Sequence, residues 1–595
     1  MKIINKVIFL IFSVILISCN PTGKQDAKGA ESPSDASSEW VAGNSEAALK
    51  IDRYLSAMEV QGFSGAIVVK NGEIVILKKG YGFADRELRK PYTQETIQTN
   101  GSITKQFTGA AILLLESRGE LSVDDKISDY LEPLSEKMQG ITIHQLLTHS
   151  SGMPGGIGAD DEPVGAEAYL ERLRAESLQF EPGLRYAYSN TGYSLLGMIV
   201  EEVSGESYES FLRNELFLPA GMNNTGYILP DWDREKMAIG YRNGERWGEV
   251  YNRGWLEEGP NWHLRANGGM HTTVGDMAVW LKTVQGLGVL SEDAARRWTT
   301  GYVTESGGIS EYGYGWSVYN HDKWGKVITH GGSNQIFEAD FVWLPERDFF
   351  FYIQSNNSLV PAIRQSANII NAAFDSSFVM PPLPEAIESA DPDLATRRAG
   401  TYFLNDGNIE LMADDTRLIA RITGQSLLDQ MFGHSDQQKT RFAELNARIR
   451  VAMDKLQAGE QDAMSELVSE ETDAAAATAP FLQRINQIGK LDSLHVIGTF
   501  VNESVGRFAR SGPWTTFVYA EFENWNQYWN LVWNKDETYA ENLQGPWPSF
   551  TLIPAGKNSY TGIGETGGLR TVDLEFKKDC LKIGEEMACK ENNSR

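Results

Sequence analysis

Three short segments of this chain carry residue types that can do chemistry together. They are Ser102-Ile103-Thr104-Lys105, Tyr188-Ser189-Asn190 and His330-Gly331-Gly332. A hydroxyl, an amine three residues on, a phenol and an amide are the parts of a serine acyl-transfer site. The hydroxyl attacks a carbonyl, the amine takes its proton, the phenol relays it and N–H donors hold the oxyanion. Each segment alone also fits a plain structural role: a capping serine with a solvated lysine, a surface aromatic turn, and a Gly-Gly turn beside an ordinary histidine.

The local patterns place the segments. After Gly101, the apolar residues Ile103, Phe107, Ala110, Ala111, Leu113, Leu114 and Leu115 predict a buried helix that ends at Arg118-Gly119. Ser102 falls at its N-terminus, where free N–H groups and the positive dipole end favour an oxyanion. Lys105 lies one turn on, on the same face, and a desolvated ammonium there loses its proton more easily. Tyr188 and Asn190 follow the turn Phe180-Glu181-Pro182-Gly183 and precede helically spaced Tyr193, Leu196, Ile199 and Val200. The Asn190 amide can orient Lys105 and donate to a substrate carbonyl. His330-Gly331-Gly332 follows a short strand, Lys326-Val327-Ile328-Thr329, and paired glycines let a substrate backbone approach the sheet edge. The N–H groups of Ser102 and Ser333 are the candidate oxyanion donors.

With these segments in this order, the chain resembles the class C β-lactamase-related serine hydrolases. That family includes class C β-lactamases, D-Ala-D-Ala carboxypeptidases, D-aminopeptidases and some esterases. Further likenesses are Leu146-Leu147-Thr148-His149-Ser150-Ser151-Gly152, Pro219-Ala220-Gly221-Met222, Ala266-Asn267-Gly268-Gly269-Met270 before Thr273 and Asp276, and Tyr312-Gly313-Tyr314-Gly315-Trp316. The resemblance spans roughly residues 45–378. It implies a nucleophile at Ser102, a general base in Lys105 with Tyr188, substrate orientation by Asn190, His330, Gly331 and Gly332, and no cofactor or metal. Where class C β-lactamases carry Lys-Thr-Gly, this chain has His330-Gly331-Gly332, closer to D-aminopeptidases and some DD-peptidases. A histidine with a pKa of about 6.5 is mostly neutral at pH 7 and is a weaker partner for a substrate carboxylate than a fixed cation. The implied substrates are D-amino-acid-containing peptides, amides or small esters. β-Lactamase or DD-carboxypeptidase turnover is the alternative, and a non-catalytic peptide- or cell-wall-binding protein is the alternative of another class.

The rest of the chain must position and carry this site. Its 595 residues exceed one core and suit several domains, and 41% hydrophobic content suits globular folding. A formal charge of −26 argues against nucleic acid as a partner. The oligomeric state is not readable from the sequence. Lys2 and Lys6 precede the apolar run Val7–Ile17 and then Ser18-Cys19. The run is too short to span a bilayer. It resembles a bacterial lipoprotein signal over residues 1–19 with Cys19 lipidated, which implies a periplasmic or outer-membrane-associated, lipid-anchored protein. Ile17 is not the small residue usual there, so ordinary signal-peptide cleavage is the alternative. Residues 20–44 read as a flexible tether. Cys580 and Cys589 could pair in an oxidising compartment.

Phe63–Val69 and Glu73–Lys79 around Asn71-Gly72 predict a hairpin. Phe337–Trp343 and Phe349–Gln354 predict a later strand pair, and 359–374 a closing helix. The expected catalytic unit is therefore α+β, an antiparallel sheet with helices and a largely helical insert near 105–310. Residues 379–398 read as a linker. Residues 399–435 with 549–578 read as a small β-barrel-like domain. An NTF2-like α+β insert is expected at 436–548, and a C-terminal tail at 579–595. Trp514, Trp525, Trp529 and Trp533 suit either glycan or peptide binding or core packing.

Overall fold

The protein was analysed as a computed structural model that describes residues 39–590, apart from 133, 243, 306–307, 379, 382–391, 415, 471, 502–511, 524–525, 545–548, 557 and 565–569. Cys19 and Trp525 lie outside the described residues.

The first unit is built on a nine-stranded sheet. Its strands are β1 (Trp40–Val41), β2 (Gly65–Asn71), β3 (Ile74–Tyr81), β4 (Val303–Thr304), β5 (Glu311–Tyr312), β6 (Ser317–His321), β7 (Gly325–Ser333), β8 (Glu338–Leu344) and β9 (Phe349–Ser355). Their order is β1-β3-β2-β9-β8-β7-β6-β5-β4, and all pairs are antiparallel. The central strand β9, Phe349-Phe-Phe-Tyr-Ile-Gln-Ser355, is buried at every position. A strand covered on both faces needs such an unbroken run, because alternate side chains enter opposite layers. Ile67, Val69, Phe349, Phe351 and Ile353 meet helices α1 (Glu46–Val60) and, below, the last helix of the unit. Ala66, Val68, Phe350 and Tyr352 face the other core, with α2 (Thr104–Ser117) and α3 (Asn190–Ser204). The closing helix α4 (Ala362–Phe374) returns over the first face. In α2 every residue from Thr104 to Leu115 is buried, as expected of a helix sunk in a core rather than lying on one.

The tether expectation is corrected at its end: Trp40 and Val41 form a strand that pairs with Lys78 and Leu77. The linker is also shorter than expected. Residues Pro392–Arg398 form helix α5, whose Ala395 is buried in the next core.

That core belongs to a closed eight-stranded antiparallel barrel of β10 (Gly400–Leu404), β11 (Gly407–Asp414), β12 (Arg417–Thr423), β17 (Ser549–Pro554), β18 (Ser559–Gly564), β19 (Arg570–Lys577), β20 (Cys580–Ile583) and β21 (Glu586–Cys589). Between β12 and β17 lie helices α6 (Gln425–Phe432), α7 (Asp436–Gln457) and α8 (Ala474–Ile488), then a four-stranded antiparallel sheet. Its strands are β13 (Leu491–Val501), β14 (Trp514–Phe522), β15 (Gln527–Trp533) and β16 (Tyr539–Gln544). The expected tail is corrected here: residues 580–589 are the last two barrel strands. Leu581, Ile583 and Ala588 are buried, but each strand has four residues among lysines and glutamates, too short for alternation to show. Cys580 and Cys589 face each other across β20 and β21 and form a disulfide. Cys589 also pairs with Phe403 where the barrel closes. Trp529 and Trp533 are core residues of the inserted sheet, and Trp514 lies beneath the Arg441 guanidinium. Arg86 of the first unit meets Asp414 of the barrel at 3.6 Å.

A small ladder holds the turn before α2: His271–Thr272 pairs with Gln98–Thr99. His271 stacks on Tyr251 at 4.8 Å, between Trp232 and Trp255. Burial pushes its imidazole down to about 3. A folded-state value below the unfolded 6.5 means that stability is fully present above about pH 6.5 and drains away as pH falls toward 3. We expect His271 to contribute on the order of 5 kcal/mol at most to that acid loss. Urea unfolding between pH 7 and pH 4 should be less pH-dependent in His271→Phe than in wild type, and equal slopes would refute the assignment.

Candidate active site

Ser102 sits in a single 3₁₀ turn, Gly101–Ile103, that runs into α2. Two glycines allow that turn to press against β7. A Cβ on Gly332 would stand 1.7 Å from the Asn100 oxygen and 3.0 Å from the Ser102 nitrogen. A Cβ on Gly101, whose φ is +54°, would stand 2.7 Å from the Ser333 nitrogen. The backbone nitrogens of Ser102 and Ser333 therefore flank one contact. Thr104 tightens it: its hydroxyl donates to the Gly101 oxygen at 2.8 Å and accepts the Met270 N–H at 3.2 Å.

Lys105 is fully buried on the first turn of α2. Its Nζ lies 3.2 Å from Ser102 Oγ, 2.8 Å from Asn190 Oδ1 and 2.7 Å from the Asn267 carbonyl oxygen. Burial drives its pKa well below the ordinary lysine value, and the Asp160 carboxylate opposes that only in part. A neutral amine has two hydrogens and one lone pair. Asn190 Oδ1 and the Asn267 carbonyl can only accept, so they take both hydrogens and leave the lone pair toward the Ser102 hydroxyl. Asn267 is held in turn by its own amide, which donates to Ser194 Oγ and the His263 oxygen.

Asn190 opens α3, and Ser189 caps it by accepting the Gly192 N–H. A donor at Lys105 requires the Asn190 oxygen on that side, so its NH2 points away from the lysine. Tyr188, two residues earlier, is 37% exposed, the most accessible of the site's aromatic rings. Lys105 Nζ lies 4.7 Å from its ring centre. Behind the phenol stands His149, with ring centres 4.3 Å apart.

His330 lies on β7, buried, with its ring centre 6.5 Å from that of Tyr188. Its Nε2 is 2.9 Å from the Tyr312 hydroxyl and its Nδ1 is 2.7 Å from the Gly331 oxygen. A carbonyl only accepts, so Nδ1 carries the hydrogen and Nε2 accepts from Tyr312. Gly331 and Gly332 pair with Asp340 and Ala339 in the ladder.

The structure thus brings Ser102, Lys105, Tyr188 and Asn190 together, sets Ser333 N beside the Gly101–Ile103 turn, and turns both nitrogens of His330 toward protein partners. Three contributors were not singled out from sequence: the Asn267 carbonyl, His149 and Tyr312. All three lie within the motif-like segments, but a backbone acceptor leaves no residue-type signal. Among the described residues no group of three His, Cys, Asp or Glu side chains stands at metal-holding spacing.

Comparison with known proteins adds a second kind of observation. The sequence model of the family described as Beta-lactamase matches residues 51–374. The chain is 25% identical to Penicillin-binding protein 4* of Bacillus subtilis (strain 168) over 408 residues, 62% of this chain and 85% of that protein. It is 33% identical to Protein flp of Staphylococcus aureus (strain NCTC 8325 / PS 47) over 183 residues, 29% of this chain and 36% of flp. The crystal structure of a penicillin binding protein from Bacillus halodurans, 28% identical, covers 54% of this chain and 100% of that chain with a TM-score of 0.46.

The packing at Gly332 yields a direct test. Gly332→Ala must push the 100–102 turn off β7, so reaction with a fluorophosphonate should fall at least tenfold while far-UV circular dichroism stays the same. Unchanged labelling would show that the turn moves without consequence.

Proposed function

The chain belongs to the Beta-lactamase family and is a serine hydrolase of the penicillin-binding-protein type, and on that premise we propose that Ser102 is its nucleophile and Lys105 its general base. One observation carries the reading. A fully buried lysine has its two hydrogens committed to Asn190 and Asn267, with Ser102 Oγ as its third neighbour at 3.2 Å. The Ser102 oxygen attacks a substrate carbonyl carbon while its proton passes to Lys105. The tetrahedral oxyanion takes hydrogen bonds from the N–H groups of Ser102 and Ser333. Collapse breaks the bond to the leaving group, which receives its proton from Lys105 through the Tyr188 phenol. Water then attacks the acyl ester as its proton passes to Lys105, and collapse breaks the ester bond, returns that proton to Ser102 Oγ and releases the acid.

The substrates in this reading are D-amino-acid-containing peptides, amides or small esters. Support comes from the third segment. His330 stands where a lysine would offer a fixed cation, and its ring nitrogens bond to Tyr312 and Gly331. Asn190 orients the substrate with its outward NH2, and Gly331 and Gly332 offer it their backbone on β7, beside the 100–102 turn that packs against Gly332. We further infer a lipid anchor at Cys19 and a place in the bacterial cell envelope, on the signal-like sequence of residues 1–19. The helices and four-stranded sheet between β12 and β17 we read as an NTF2-like insert in the barrel, on their α+β composition.

Ser102→Ala should abolish fluorophosphonate labelling without lowering the melting temperature, and residual labelling on another serine would remove Ser102 from its role. Lys105→Arg keeps a cation but cannot deprotonate, so acylation should fall by about 10²–10⁴. In wild type the acylation rate should rise with pH and level off well below pH 10.5, because the neutral amine is the active form and burial favours it. That limb should be missing in Lys105→Arg. A wild-type profile in the arginine variant would exclude Lys105 as base. A protein that only binds peptides would react with no acylating probe at all.

Cys19→Ala should move the protein from the membrane pellet to the soluble fraction after lysis and a salt wash. Retention in the pellet would place the anchor elsewhere.

A further inference from the structure

The residue that holds Tyr188 in place is a histidine in a position where glycine is the ordinary choice. The short helix Ile143–Leu147 ends in a Schellman turn: the His149 N–H bonds the Leu146 oxygen and the Ser150 N–H bonds the Gln145 oxygen. His149 occupies the left-handed residue of that turn, with φ of +57°. A side chain strains the backbone there, and strain retained in a site points to a use for the side chain.

The use is visible on both sides of Tyr188. The His149 carbonyl accepts the Ala187 N–H at 2.8 Å, and His149 Nδ1 accepts the Ser189 N–H at 3.1 Å. One residue thereby fixes the peptides before and after the phenol, and its ring backs the phenol at 4.3 Å. Nε2 is buried without a hydrogen-bond partner, so the imidazole acts through Nδ1. An Nδ1 that accepts belongs to a neutral ring. The groups around it are Lys105, His330 and the phenols of Tyr186, Tyr188, Tyr193 and Tyr312, and burial together with Lys105 and His330 disfavours a charge on it.

We propose that His149 is a positioning residue that sets the Tyr188 phenol over Lys105 by bracketing the 187–189 backbone through its carbonyl and Nδ1. The proposal rests on the role given to Tyr188 above. It does not place His149 in contact with substrate.

The test uses the full chain, with p-nitrophenyl butyrate as the probe. His149→Gly keeps the left-handed backbone and the carbonyl but removes Nδ1 and the ring. It should lower kcat by about 10–100-fold, the scale of a small misplacement of a reacting group, with KM within about threefold. His149→Asn tolerates the same backbone and returns an acceptor near the Nδ1 position, so it should recover most of the loss. Combined with Tyr188→Phe, which should itself be slow, His149→Gly should cost nothing more. A wild-type kcat in His149→Gly, or an equal fall in both backgrounds, overturns the proposal and leaves Tyr188 in the mechanism. A wild-type rate in Tyr188→Phe alone overturns the role of Tyr188 and this inference with it. If His149→Gly does not fold, His149→Gln replaces it, because its longer side chain carries the amide past the Nδ1 position. Gln as active as Asn then overturns the proposal, and Asn alone active supports it.

Discussion

A lysine amine held out of water against a serine hydroxyl is the constraint around which the first unit is arranged. An isolated ammonium in such a place is costly, so the group either finds compensation or gives up its proton. Here it has three polar neighbours, drawn from the 3₁₀ turn before α2, the start of α3 and the loop at Asn267. None of those segments is free to shift. Asn267 is pinned by Ser194 and the His263 carbonyl, and Ala266 by Tyr227 and Thr108. The helical layer is thus tied together at the point where the Lys105 amine is kept out of water.

The sheet contributes the complementary constraint. The Gly101–Ile103 turn approaches β7 so closely that neither Gly101 nor Gly332 has room for a side chain. A helix start lying against a strand end brings backbone nitrogens from two separate elements to one place. A single helix terminus cannot do this, since its nitrogens all point along one axis.

Much of this site was legible in the sequence because its chemistry resides in side chains. Ser102, Lys105, Tyr188 and Asn190 announce themselves by type and spacing, and the buried character of α2 follows from its run of apolar residues. What stayed hidden lies in backbone groups and geometry. The Asn267 carbonyl has no residue-type signature, and the left-handed turn at His149 shows only in its dihedral angle. His330 illustrates the limit from the other side: its type and position are readable, but the Tyr312 hydroxyl that occupies Nε2 comes from another strand. In the C-terminal half the strands of the barrel were legible where they ran to five residues or more. The four-residue strands β20 and β21 were not, because charged neighbours mask alternation that short.

The barrel pairs β12 with β17, and the whole helical and four-stranded insert intervenes between these two neighbours. Joining two ends across so long a stretch costs chain entropy, and the cost grows with the length that is still unstructured. Folding of the insert first would shorten that stretch to its two short connections. Closing β12 on β17 therefore carries a large chain-entropy cost, and that cost falls if the intervening elements are already folded. At the seam between β21 and β10, Cys589 pairs with Phe403 while its disulfide to Cys580 ties β21 to β20. Contacts of such long sequence separation are the ones that slow folding, so the β12–β17 pairing is the costliest closure in this half of the chain.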